Sequence, residues 1–253
     1  MFLDVPDGRL EAQFLEGDAA QPALVLLHEG LGSLRLWRGL PDRLHELTGA
    51  RVLAFSRFGH GSSDRPPRPR TPSFMHEEAL EVLPEVLRAA ELERPVLVGH
   101  SDGASIALIY AAGHPVSGLA LMAPHVFVEQ MCVDAIRVTR EAFENEGLRE
   151  RIARHHDDPA VTFSGWCDVW LDPAFRAFDL EPLLPRIDAP TLLIQGRDDE
   201  YGTLAQVEAI ERGVSGPVEK LIVSGGHSPH LDHPDEVPAA IAEFIARLRA
   251  RAA

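Results

Sequence analysis

Residues 95–103 read Pro-Val-Leu-Val-Gly-His-Ser-Asp-Gly and run straight into Ala104-Ser105-Ile106-Ala107-Leu108. An apolar run, a Gly99-x-Ser101-x-Gly103 turn and a small-residue helix therefore follow one another without a break. That succession predicts a strand, a tight turn and a helix with Ser101 at the apex, a nucleophile elbow in which the two glycines leave room for a strained backbone. Gly-x-Ser-x-Gly alone is a weak signal, because its residues are common. Its context gives it weight: the β-branched run before it, the helix after it, and acid and histidine candidates downstream in the order Ser, Asp, His.

The rest of the chain supplies a frame for such an elbow. Apolar strands at 23–28, 51–56, 95–99 and 118–123 alternate with helical patterns at 35–47, within 73–90, and at 101–112. Strands that are continuously apolar in a βαβα rhythm predict an α/β chain with a doubly covered parallel sheet. The rhythm stops between about His125 and Ile187, where helical stretches at 128–145, 147–156 and 163–170 are punctuated by Pro159, Pro173, Pro182 and Pro185. It resumes with a strand at 191–195, a helix at 203–212, a strand at 218–223 and an amphipathic helix at 236–249. The expected organisation is a core of 1–124 and 188–253 interrupted by a helical insertion, 125–187.

Composition narrows the partners. With 24 Lys+Arg against 39 Asp+Glu, the 253-residue chain carries a net charge of −15, which repels phosphate backbones and anionic lipid surfaces. A small-molecule substrate is expected, with no nucleic acid and no membrane partner, in a monomer or homodimer. Cys132 and Cys167 have no disulfide or zinc-ligand spacing and read as buried hydrophobes, and no metal or cofactor motif is present. His155-His156-Asp157-Asp158 reads as a solvated helix end. The first residues lack a basic, apolar signal segment, and no window approaches ~18 apolar residues, so a cytoplasmic protein is expected.

A serine hydroxyl needs an imidazole to take its proton and a carboxylate to fix the tautomer of that imidazole. The strand at 191–195 ends in Gly196-Arg197-Asp198-Asp199, and the strand at 218–223 runs into Ser224-Gly225-Gly226-His227-Ser228-Pro229-His230. Ends of parallel strands on the carboxyl side are where open α/β sheets build their sites. One of the two aspartates should orient the base, the other reading being a helix N-cap, and His227 is the candidate base. His230 and His233 are read as pocket rim or surface. For a tetrahedral oxyanion, backbone N–H donors are expected from Asp102 and from Gly30, in the loop that follows the first buried strand.

Taken together, the chain resembles the α/β-hydrolase superfamily, in the group that carries a helical cap. His28-Glu29-Gly30-Leu31-Gly32-Ser33 with Trp37 resembles its oxyanion loop, Arg57-Phe58-Gly59-His60-Gly61-Ser62-Ser63 its glycine-rich turn, and Gly99–Gly103 its elbow. The resemblance implies an acid three residues past Gly196, which is Asp199, and a base at the Gly-His of the last loop, His227. It also implies a cap over 125–187, where Phe127, Phe163, Trp166 and Trp170 either line an apolar pocket or form the core of the cap.

Two positions depart from the family pattern: Glu29 stands where a glycine is common, and Asp102 follows the nucleophile. Two carboxylates beside a developing oxyanion are electrostatically awkward unless solvated, paired or facing a cation. Asp102, with Glu29, is therefore expected either to recognise an amine on the substrate or, for Asp102, to turn away and favour its helix N-terminus. The implied reaction is hydrolysis of a small carboxylic ester, thioester or lactone through an acyl-enzyme. The alternatives are carbon–carbon bond hydrolysis of ring-cleavage products, a lyase-like relative, and a non-catalytic receptor. Arg57 or Arg197 reaching the pocket would favour the carbon–carbon class, although structural ion pairs are the expected role for both. Haloalkane dehalogenases and epoxide hydrolases use aspartate where this chain has Ser101, and fall away.

Overall fold

Eight strands form one sheet: β1 (Phe2–Val5), β2 (Gly8–Leu15), β3 (Leu24–Leu27), β4 (Val52–Phe55), β5 (Val96–His100), β6 (Gly118–Met122), β7 (Thr191–Gly196) and β8 (Val218–Val223). The computed structural model describes residues 1–252, with side chains to residue 250. Strand order is β1-β2-β4-β3-β5-β6-β7-β8, antiparallel in the β1, β2 and β4 pairings and parallel from β4 through β8. The first two strands form a hairpin that the sequence reading did not include. Its signal was nonetheless present, since Leu10 and Ala12 are buried between Arg9, Glu11 and Gln13 with period two.

Every residue of β3 to β7 is buried, which is why those strands read as unbroken apolar runs. Alternate residues feed opposite faces. Leu24, Leu26, Val96, Val98 and Ala120 pack with α1 (Leu40–Thr48) and α10 (Glu236–Ala252), while Val25, Leu27, Leu97, Leu119 and Leu121 pack under the remaining helices. Each fully buried Leu or Val contributes about 1.5–3 kcal/mol. The helix expected at 35–47 is divided by Arg38 (φ 50°) and Gly39 (φ 87°) into a 3-10 turn, Leu34–Trp37, and α1. Between α2 (Phe74–Glu77) and α3 (Leu83–Ala89) runs a π turn, Glu78–Val82. Pro84 lacks the N–H that would donate to Leu80, so the regular ladder gives way there.

After β5 comes α4 (Asp102–Ala111), and after β6 a segment without a named strand holds α5 (Gln130–Asn145), α6 (Leu148–Ile152), α7 (Pro159–Leu171) and two 3-10 turns. Pro159 opens α7 rather than breaking a helix, because its missing N–H is one of those left unpaired in a first turn. The chain then returns through β7, α8 (Leu204–Gly213), β8 and α9 (Pro229–Asp232) to α10. No helix among the described residues is long and apolar enough to cross a membrane.

Candidate active site

The elbow forms because its glycines are sterically required. A Cβ on Gly103 would collide with the Leu27 carbonyl, and one on Gly99 would lie 2.5 Å from the Cα of Ala104. With α4 pressed so closely against β3 and β5, Ser101 is held at φ 53°, ψ −117°, an unfavourable backbone for a residue with a side chain. At the neighbouring strand ends, a Cβ on Gly196 would meet the carbonyls of Gly225 and Gly226. That close approach sets the loops after β7 and β8 side by side.

Three sequence-predicted residues come together at this edge. His227 Nε2 lies 2.8 Å from Ser101 Oγ, and His227 Nδ1 lies 2.9 Å from each oxygen of Asp199. Asp199 also accepts from Gln195 Nε2 at 2.7 Å and from the Tyr201 N–H at 2.8 Å. Burial pushes its carboxyl upward, but the hydrogen bond and charge of His227 outweigh that and hold it below its ordinary value. Of the two aspartates left open by spacing, Asp198 is exposed and does not reach His227.

Facing the elbow is loop 28–31, and each of its four carbonyls is taken from behind. The Arg57 guanidinium donates to His28 O at 2.9 Å and to Glu29 O at 3.0 Å. His28 Nδ1 also meets Glu29 O, His60 Nε2 meets Gly30 O at 3.0 Å, and His156 Nε2 meets Leu31 O at 2.9 Å. The Gly61 N–H donates to His156 Nδ1, so that imidazole is neutral with its proton on Nε2. With the carbonyls turned inward, the Gly30 N–H has no acceptor among the described residues, nor has that of Asp102 at the start of α4.

Several expectations need correcting here. Among the described residues Arg57 makes no ion pair: buried, it serves backbone carbonyls. Arg197 is exposed. His156 is no solvated helix end, being 4% exposed and wedged between the Gly61 turn and loop 28–31. His230 is buried against Trp37 and His100 instead of forming a rim. Sequence spacing holds no signal for these contacts, one of which joins residues 125 positions apart.

Above Ser101 lies a cavity of about 180 Å³. Glu29, Gly30 and Leu31 form one wall, and Trp166, Trp170, Cys132 and Ile136 of the inserted segment form the roof. The Trp166 indole occupies the space a Cβ on Gly30 would need. Tyr201 and His125, which the sequence reading did not single out, complete the lining beside His227. Phe163 instead stacks on Phe143 at 3.8 Å, and Phe127 lies outside the lining, its backbone bridged to Asp179.

The two unusual carboxylates differ in what they face. Glu29 reaches the cavity and stands 3.6 Å from His100 Nδ1, an ion-pair distance too long for a hydrogen bond. Burial raises the Glu29 carboxyl, but His100 outweighs it and the group lies well below the usual carboxylate range. Burial likewise pushes His100 down, and Glu29 more than reverses this. Asp102 is fully buried outside the cavity lining, accepting the Trp170 indole N–H at 3.1 Å. It sits in the first turn of α4, where an acid is favourable, without a capping hydrogen bond, and burial pushes its carboxyl upward despite nearby Arg57 and Arg70.

The sequence profile described as the Alpha/beta hydrolase family matches residues 24–240. The chain belongs to the alpha/beta hydrolase family. It is thus a hydrolase. Human serine hydrolase BPHL is 26% identical over 206 residues, covering 77% of this chain and 69% of that protein. An esterase, EaEST, from Exiguobacterium antarcticum superposes with TM-score 0.76 at 20% identity, over 97% of this chain and 99% of that one. The enol-lactonase of Burkholderia xenovorans LB400 gives TM-score 0.76 at 19% identity, over 97% of this hydrolase and 100% of its own chain. At such identities the two structures speak to the fold alone.

Proposed function

We propose that this hydrolase cleaves a small carboxylic ester, thioester or lactone through an acyl-enzyme formed on Ser101. The observation that carries this reading is the hydrogen-bonded series Ser101, His227, Asp199 opening into the cavity. Ser101 Oγ attacks the carbonyl carbon as His227 Nε2 takes its proton, and Asp199 holds the Nδ1–H tautomer and stabilises the imidazolium. The N–H groups of Gly30 and Asp102 receive the oxyanion. Collapse expels the alcohol, thiol or enol with the proton from His227, and a water activated by the same imidazole then releases the acid.

The cavity supports a small substrate, since its volume is below the roughly 300–1,000 Å³ typical of ligand pockets. Its lining also favours esters over carbon–carbon substrates with carboxylates, because no Lys or Arg is among the described lining residues. An aligned nucleophile, base and acid favours catalysis over a receptor role. Among the described lining residues Glu29 is the carboxylate that would meet an amine on the substrate.

The test is a panel of p-nitrophenyl acetate, butyrate and octanoate with an enol-lactone and a ring-cleavage dienoate, run on wild type and Ser101→Ala. Short esters or the lactone should turn over, octanoate should lag, and Ser101→Ala should lose about 10³-fold or more. Turnover of the dienoate alone would overturn the reading.

A further inference from the structure

His125 is a buried imidazole in the cavity wall that the acyl-transfer steps leave unused. The chain leaves β6 through Ala123 at φ 47°, a conformation that costs a non-glycine residue energy, and Ser105 Oγ fixes the His125 carbonyl at 2.6 Å. The ring is thereby set 5.2 Å from Trp170 and 5.7 Å from His227, between centroids. A Cβ on Gly202 would lie 3.2 Å from Cε1 and 3.5 Å from Nδ1, so that edge of the ring rests on the loop after β7. Nδ1 is buried without a partner, and among the described residues no protein group hydrogen-bonds Nε2. His227, its neighbour, uses both nitrogens.

Burial, with the nearby His227 second, lowers the His125 pKa to about 3, so the ring is neutral and carries one N–H. A proton on Nδ1 would be an orphaned buried donor, which folded proteins rarely tolerate, whereas an unpaired acceptor is less costly. The proton therefore belongs on Nε2, as a fixed donor offered to whatever occupies the cavity. Glu29, ionised in the same lining, repels a carboxylate there, so the matching group is a neutral oxygen.

We propose that His125 Nε2–H is a specificity contact that binds a neutral acceptor oxygen, hydroxyl or keto, carried by the substrate within about two carbons of the scissile carbonyl. This rests on the ester-hydrolase reading and names the substrate class: short oxygenated acyl esters. An unsubstituted chain would leave the donor buried and unpaired, a loss that translates to roughly 5- to 100-fold in kcat/KM.

Methyl butyrate, methyl 3-hydroxybutyrate, methyl acetoacetate and monomethyl succinate, with acid release followed by titration, test it. Wild type should favour the hydroxy and keto esters over methyl butyrate by that margin and disfavour the succinate. His125→Leu should bring the ratios near unity whatever its absolute rates, and His125→Gln should restore part of the preference. Equal losses on all four esters, or unchanged ratios, would overturn the proposal while leaving the ester reading intact. An independent readout is the ring ¹⁵N signal of His125 in Ser101→Ala, which should move on adding methyl 3-hydroxybutyrate but not methyl butyrate. No binding and no turnover of any ester would sink both this contact and the reading beneath it.

Discussion

The two loops that meet across Ser101 owe their shapes to opposite causes. The elbow is dictated by backbone contact: Gly99 and Gly103 admit α4 against the sheet, and Ser101 takes up the strain. Loop 28–31 meets the Trp166 side chain at Gly30 but no backbone wall of that kind, and hangs by its carbonyls from Arg57, His28, His60 and His156. A shape enforced by volume fails only when volume is added. One enforced by hydrogen bonds depends on protonation and, through His156, on where the inserted helices sit.

Adding volume to the elbow should have the largest effect. Gly103→Ala places a methyl group in the Leu27 carbonyl, and backbone cannot swing aside as a side chain does. A loss of at least ~3 kcal/mol, seen as a collapsed thermal midpoint or insoluble protein, is expected. A stable, active Gly103→Ala would break the steric account.

Next in size is Arg57→Met, which frees the His28 carbonyl and takes one of its donors from that of Glu29 but adds no volume conflict. The fold should survive with a lowered midpoint. The Gly30 N–H should lose its aim, so kcat falls about 10²-fold while KM moves less than threefold, the signature of a donor needed only in the transition state. Arg57→Lys, with one donor point instead of a fork, should fall between the two. Equal damage to kcat and KM would make the arginine a prop for the cavity rather than for the loop.

The same division decides what could be read beforehand. The elbow, the strand rhythm and the order Ser101, Asp199, His227 are local patterns, and Asp199 was preferred to Asp198 only through family habit. The hairpin of β1 and β2 lies outside the expected strand rhythm, although residues 9–13 carry a period-two alternation. Arg57, His60, His125, His156 and His230 were misjudged or passed over, because their roles depend on distant backbone groups or on the lack of any partner. Burial of a histidine leaves no trace in its neighbours along the chain.

The smallest effect, and the one that separates the two loops most finely, concerns protons. His28, His60 and His156 are all pushed below the ordinary imidazole pKa, in each case chiefly by burial. The unfolded chain takes up protons near pH 6.5 while the fold keeps these rings neutral, so the unfolded state binds more protons below that pH. Unfolding free energy should therefore be full above pH 6.5 and fall as pH drops towards 5, by up to about 1.4 kcal/mol per pH unit for each such ring. His100, whose pKa is raised beside Glu29, works in the opposite sense and offsets part of the slope. His156→Gln keeps a donor for Leu31 and an acceptor for Gly61 but cannot titrate, so urea unfolding at several pH values should show a shallower slope with kcat within about threefold of wild type. His156→Phe, unable to make either bond, should lose about tenfold in kcat at every pH. If His156→Gln leaves the slope unchanged, His156 is not held neutral by the fold, and loop 28–31 is less sensitive to protonation than its hydrogen bonds imply.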